Sequence, residues 1–187
     1  MSFPGIPSLD AAVMAFIQTH FHNTVTDTVF PIITSLGEAG IGWIVLSLVL
    51  LCFKKTRRTG GLVLIAMTVT LLFGELTLKN IICRLRPCNV FTDFPMLIAR
   101  PTSYSFPSGH TSSSFAAALI LTLRHKKVGW LAYIPAVLIA FSRIFLFVHY
   151  PTDVLAGILL GPLAALLTYF AAKAIQKRQA EKRTAQI

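Results

Sequence analysis

The sequence predicts an all-α integral membrane protein: a helical bundle of five transmembrane helices, or six if Thr24–Leu36 also spans, with amphipathic helices at its N-terminus. Three observations predict it. Of 187 residues, 55% are hydrophobic and only 13% are charged, whereas soluble domains carry about 25% charged residues. Mean hydropathy is +0.70. Five apolar runs, at roughly 39–53, 60–82, 111–123, 128–148 and 154–172, alternate with short polar or basic segments. The chain reads as a single domain, 1–187, with a motif-bearing core over 60–172.

The N-terminal fifth is weaker in pattern. Over 9–21, Leu9, Val13, Phe16 and Ile17 recur at helical spacing, with Asp10, Gln18 and His20 elsewhere. Over Thr24–Leu36, Val25, Val29, Ile32 and Leu36 oppose Thr24, Thr28 and Ser35, and Pro31 interrupts the run. Both stretches read as helices lying in the interface, or packed half-in as a lid. No Lys or Arg precedes Lys54, so no basic n-region of a cleavable signal peptide is visible. A helix needs about 20 residues to cross hydrocarbon, so the first and third apolar runs extend into their polar flanks.

The net charge of +10 points to anionic headgroups or a phosphorylated substrate. It does not point to nucleic acid, because most of the cations sit at the ends of apolar spans. Cys52, Cys83 and Cys88 make an odd count without metal-ligand spacing and read as unpaired thiols, the alternative being a Cys83–Cys88 pair on an oxidising side. The loop over 88–107 is the one long connection, and Phe91, Phe94, Met96, Leu97 and Ile98 make it unusually apolar. Long loops in compact domains are usually functional. It reads either as a rim dipping into the interface beside a lipid or as plain packing over the helix ends.

Three polar stretches stand at the edges of the apolar runs, where charge is costly and usually functional. The first holds Lys79 and Arg86, seven residues apart and so on one face of a continuous helix. The second is Pro107-Ser108-Gly109-His110. There Ser108 can cap a helix, and Gly109 lets an anion approach free N–H groups. The third runs from Arg143 through His149 to Asp153, with Pro151 between the last two. Asp153 could accept one imidazole N–H and leave the other nitrogen of His149 as a nucleophile. Lys79, Arg86 and Arg143 together need an anion between them, and phosphate suits arginine's forked donors. His110 is placed to protonate a departing oxygen.

Read in order, Lys79-x6-Arg86-Pro87, Pro107-Ser108-Gly109-His110 and Ser142-Arg143-x5-His149-x3-Asp153 resemble the motifs of the type-2 phosphatidic acid phosphatase family, related to bacterial acid phosphatases and vanadium haloperoxidases. The resemblance implies a metal-independent membrane phosphatase with no cofactor and a phosphohistidine intermediate. In it His149 attacks phosphorus, Asp153 orients the imidazole, and His110 protonates the leaving group and then activates water. Lys79, Arg86, Ser108, Gly109 and Arg143 would hold the phosphate. Arg84 falls off the motif and reads as a headgroup or solvent contact, and Glu75 as a neutraliser of Lys79. The implied partners are a lipid phosphate and membrane lipids. Undecaprenyl pyrophosphate is the favoured substrate, with phosphatidylglycerophosphate or phosphatidic acid as alternatives.

Two rival classes remain open to test. A two-histidine, one-carboxylate metal site has the right ligand count in His110, His149 and Asp153, but three nearby cations would repel a divalent ion. A phospholipid carrier would suit intramembrane charge, yet would have no use for a nucleophile with an orienting carboxylate. The basic residues also predict sidedness. Lys54 to Arg58, Arg124 to Lys127 and Lys173 to Arg183 hold twelve of the seventeen Lys and Arg and fall at alternate span ends. Cytoplasmic loops collect such residues, so the motifs should open to the extracytoplasmic side and the C-terminus should be cytoplasmic.

Overall fold

The computed structural model describes residues 3–184, and among these the regular elements are all helices. They are α1 (Ser8–His20), α2 (Thr24–Leu36), α3 (Ile41–Cys52), α4 (Arg57–Thr70), α5 (Lys79–Ile82), α6 (Pro87–Val90), α7 (Gly109–Arg124), α8 (Tyr133–Phe145) and α9 (Pro151–Thr184). The five apolar runs appear as α3, the α4–α5 stretch, α7, α8 and α9. Two stretches, Arg57–Val90 and Pro151–Thr184, are long and apolar enough to cross a membrane alone. A third arises if α2 and α3, bent by 46° across Glu38–Gly40, are one broken span. The bend sits at two residues with positive φ, Ala39 and Gly40. At 16 residues, α7 covers only about 24 Å of the roughly 30 Å of hydrocarbon.

Helix α7 is the central element and packs on α9, α4 and α8. Its inner positions are small: Ser112, Ser114, Ala116, Ala117 and Ala118 are all buried. Small residues let membrane helices approach closely. At Gly157 of α9 an added Cβ would lie 2.8 Å from the Ser108 carbonyl oxygen and 2.8 Å from Thr111 Cβ, so only glycine fits that crossing. Trp43 Nε1 donates to Ser114 Oγ at 2.9 Å and ties α3 to the same axis.

The two N-terminal helices carry most of their apolar stripes on the outside. On α1 the buried stripe is Asp10, Met14, Ile17 and Gln18, whereas Leu9 and Phe16 are exposed. On α2, Val25, Val29, Ile32 and Leu36 all face outward and Thr34 is buried. Helix α1 packs on α8 and α9, and α2 packs on α8. The physical reason is the solvent: toward lipid the apolar face points out and the polar groups turn into the bundle.

The loop over 88–107 mostly packs over helix ends. Phe94 stacks on Phe147 with centroids 3.9 Å apart, and Phe91 and Phe3 close around the same ring. Arg100 staples the loop by donating to the carbonyls of Cys88, Thr92 and Phe94. All three cysteines are free.

Candidate active site

The turn between α8 and α9 carries the central imidazole. Phe147 takes the left-handed conformation at φ 59°, and the N–H groups of Val148 and His149 both donate to the Arg143 carbonyl. This folds the chain back sharply and leaves His149 only 1% exposed. Asp153 follows in the first turn of α9, fully buried.

The protonation pattern of His149 follows from its neighbours. Arg86 Nη1 lies 2.9 Å from His149 Nε2. A guanidinium only donates, so Nε2 must present a lone pair and the ring proton must sit on Nδ1. Nδ1 faces Asp153 Oδ2 at 3.4 Å and Ser105 Oγ at 3.4 Å. Burial first, and then the Arg86, Arg143 and Lys79 cations, hold the ring well below the ordinary histidine range. His149 is therefore neutral at pH 7, with its free lone pair on the Arg86 side.

Asp153 is surrounded by donors. Ser105 Oγ donates to Oδ2 at 2.5 Å, the Tyr150 N–H donates to Oδ2 at 2.9 Å, and Arg84 Nη1 donates to Oδ1 at 2.7 Å. Arg84 is thus no headgroup contact. It bridges Asp153 and Asp10, donating to Asp10 Oδ2 at 2.7 Å, and lies 3.8 Å over the Tyr150 ring. The expectation failed because Arg84 looked like a free interfacial cation, while its partner Asp10 is 74 residues away.

The cations meet as expected, by a different route. The α4–α5 stretch passes through a π-helical segment, Leu71–Leu78, and ends at Cys83 in the left-handed region. Arg86 then lies on extended backbone, so Lys79 and Arg86 do not share one helix face. The chain turn brings them together instead. Lys79 Nζ pairs with Glu75 Oε2 at 2.7 Å, as the one-turn spacing suggested. Arg86 Nε and Nη2 donate to the Ser103 carbonyl and hydroxyl at 2.7 and 3.0 Å. Arg143 Nη1 donates to Thr34 Oγ1 at 2.5 Å, while its Nε is buried without a partner.

Lys79, Arg86, Gly109, His110, Arg143 and His149 all line one cavity of about 870 Å³. That is the size range of small-molecule sites. Ile44, Leu64, Met67 and Leu71 line the same cavity and give it an apolar part. Asp153 stands behind His149 rather than on the wall. Ser108 departs from the expectation too: its hydroxyl accepts from Thr111 Oγ1 at 2.9 Å, makes no cap bond, and does not line the cavity. What α7 offers an anion is its unspent N–H groups at Gly109 and His110. His110 Nε2 is buried without a hydrogen bond, 3.5 Å from Glu38 Oε2.

Sequence reading missed Ser103, Ser105, Thr34, Glu38 and Asp10. For the serines a signal existed: two hydroxyls two residues apart in an apolar loop point to the same side of an extended strand. Thr34 and Glu38 carried none, since only the bend between α2 and α3 brings them to the cavity.

Comparison with known proteins identifies the family. Residues 59–177, well over half of the chain, match the PAP2 superfamily. The chain belongs to that superfamily. An undecaprenyl-diphosphatase of Sulfolobus acidocaldarius is 39% identical over 127 residues, 67% of this chain and 61% of the relative's own length. The Bacillus subtilis undecaprenyl-diphosphatase BcrC is 31% identical over 157 residues, covering 79% of this chain and 76% of that one. Among solved structures, the PAP2-type phosphatidylglycerolphosphate phosphatase of Bacillus subtilis superposes with a TM-score of 0.73 at 29% identity, over 92% of this chain and 89% of the other. The PAP2 match spans all three motif stretches but begins beyond α1–α3.

Proposed function

We propose that this PAP2 protein is a metal-independent lipid phosphatase that cleaves a polyprenyl diphosphate, undecaprenyl pyrophosphate by preference, and releases inorganic phosphate. The observation that carries the reading is the orientation of His149: lone pair on Nε2 at the cationic cavity, proton on Nδ1 toward Asp153 and Ser105.

In this mechanism the terminal phosphate enters among Lys79, Arg86, Arg143 and the N–H groups at the start of α7. These groups spread the charge of the phosphoryl oxygens. His149 Nε2 forms a bond to phosphorus as the bridging P–O bond breaks, and His110 delivers a proton to the departing oxygen. The ring becomes a phosphoimidazolium, and its new positive charge falls next to the Asp153 carboxylate. His110, now basic, takes a proton from water. The hydroxide attacks phosphorus, the P–N bond breaks, and phosphate leaves. No step calls for a metal, and the cations around the cavity would repel a divalent ion.

Substrate choice rests on the relatives' names and on the shape of the cavity, whose apolar wall suits a long chain behind a charged head. A panel of purified protein against undecaprenyl pyrophosphate, phosphatidylglycerophosphate and phosphatidic acid in detergent tests it. The diphosphate is expected to turn over fastest. Phosphatidylglycerophosphate turning over a hundredfold faster would reassign the substrate, and no phosphate release from any of them would return the carrier reading.

A further inference from the structure

The Arg84 guanidinium poses a problem for the site. A half-buried cation 2.7 Å from the fully buried Asp153 Oδ1 offsets the charge the carboxylate is there to supply. A lone Arg–Asp pair behind His149 is neutral overall, and a neutral pair does little for a ring that becomes positive. The structure holds the remedy on α1. Asp10, fully buried, accepts from Arg84 Nη2 at 2.7 Å. It also accepts from the Thr152 N–H at 2.9 Å and the Thr152 hydroxyl at 2.7 Å. That hydroxyl in turn accepts from Arg84 Nη1 at 2.7 Å. Two buried carboxylates and the half-buried guanidinium between them thus form a row whose formal charge is minus one rather than zero.

The same helix grips the other side of the turn. Gln18 Nε2 donates to the Phe145 carbonyl at 3.0 Å, at the end of α8, while Asp10 binds the start of α9. Helix α1 therefore holds both ends of the hairpin that presents His149. It lies outside residues 59–177, the part of the chain that matches the superfamily.

We propose that Asp10 is a positioning residue for phosphoryl transfer, acting through Arg84 to fix the plane of Asp153 and to restore its net negative charge. The proposal rests on the reading of Asp153 as the partner of a nucleophilic His149. Asp10 touches no cavity wall, so its effect belongs in the chemical step and not in substrate affinity.

The test is a double-mutant cycle on purified, detergent-solubilised protein, with kcat and KM for the best substrate of the panel and a thermal melt for each variant. Asp10→Asn is expected to lower kcat by about a hundredfold, the cost of a small misplacement of a catalytic group, with KM within about threefold. In an Asp153→Asn background the same change is expected to cost less than about threefold, because its route is already cut. A merely structural Asp10 would lower the melting temperature and multiply with Asp153→Asn. That pattern, or a folded Asp10→Asn with kcat within threefold of wild type, overturns the proposal. Should Asp10→Asn give no cooperative melt, Arg84→Lys takes its place in the cycle: it keeps the countercharge for Asp10 but loses the fork, and it is judged by the same outcomes. A folded Asp153→Asn with wild-type kcat instead overturns the underlying reading of the site.

Discussion

Replacing Asp153 by asparagine changes one atom type and one charge at a position with no exposure. The four groups facing its oxygens, Arg84 Nη1, Ser105 Oγ, the Tyr150 N–H and His149 Nδ1, are all donors or able to donate. An asparagine must point its NH2 at donors whichever way it is flipped. The larger effect is electrostatic. When His149 is phosphorylated, its ring carries a positive charge whose nearest carboxylate oxygen is 3.4 Å from Nδ1. With an effective dielectric of about 20, one unit of charge at that distance is worth ~5 kcal/mol. At 1.36 kcal/mol per decade, kcat is expected to fall about three to four orders of magnitude. KM is expected to stay near wild type, because Asp153 does not line the cavity. Phosphate release in detergent, with a thermal melt to confirm folding, reads both quantities. A folded Asp153→Asn protein that keeps more than a tenth of wild-type kcat would refute the argument that this carboxylate stabilises a phosphoimidazolium.

Other expectations follow from the same geometry. His149→Gln should give no phosphate release above background, since it removes the ring nitrogen whose lone pair stands at Arg86; turnover at wild-type rate would remove the phosphohistidine. Arg86→Lys keeps the charge but cannot span Ser103, Val148 and His149 at once, so kcat/KM should drop about a hundredfold, and retention of full activity would mean the fork is dispensable. Activity should survive excess EDTA, and vanadate should inhibit competitively by occupying the phosphate cradle; loss on chelation, restored by one divalent ion, would return the metal reading. On intact cells an impermeant thiol reagent should label a cysteine introduced at Asp93 and miss one at Thr56, and the reverse would place the site on the cytoplasmic side.

The motif residues were legible because their chemistry forces them to the ends of apolar runs. A lysine, two arginines and two histidines at the edge of hydrocarbon have few uses, and the structure gathers all five on one cavity. The supporting residues were less legible. Ser103 and Ser105 lie in a loop whose course depends on tertiary contacts, and Lys79 and Arg86 came together by a helix ending at Cys83 rather than by the continuous helix their spacing suggested. The span count stayed ambiguous for a physical reason. At 16 and 13 residues, α7 and α8 fall short of the about 20 residues a crossing needs, so helix length alone does not count the crossings.

Helix α1 is the most instructive element, because the stripe that packs inward was present in the sequence. Asp10, Met14, Ile17 and Gln18 keep a helical period as regular as that of Leu9, Val13, Phe16 and Ile17. Choosing between the two stripes required a decision about solvent. In water the apolar stripe goes inward. In lipid the polar stripe does, because a carboxylate or amide facing hydrocarbon is left without partners. Here the inward stripe meets two needs, a guanidinium that would otherwise neutralise Asp153 and the Phe145 carbonyl at the end of α8, which accepts from Gln18. Helix α2 follows the same rule with Thr34, which reaches Arg143. The two helices that looked least like membrane structure are therefore the ones whose few buried polar groups brace the cation and the carboxylate on either side of His149.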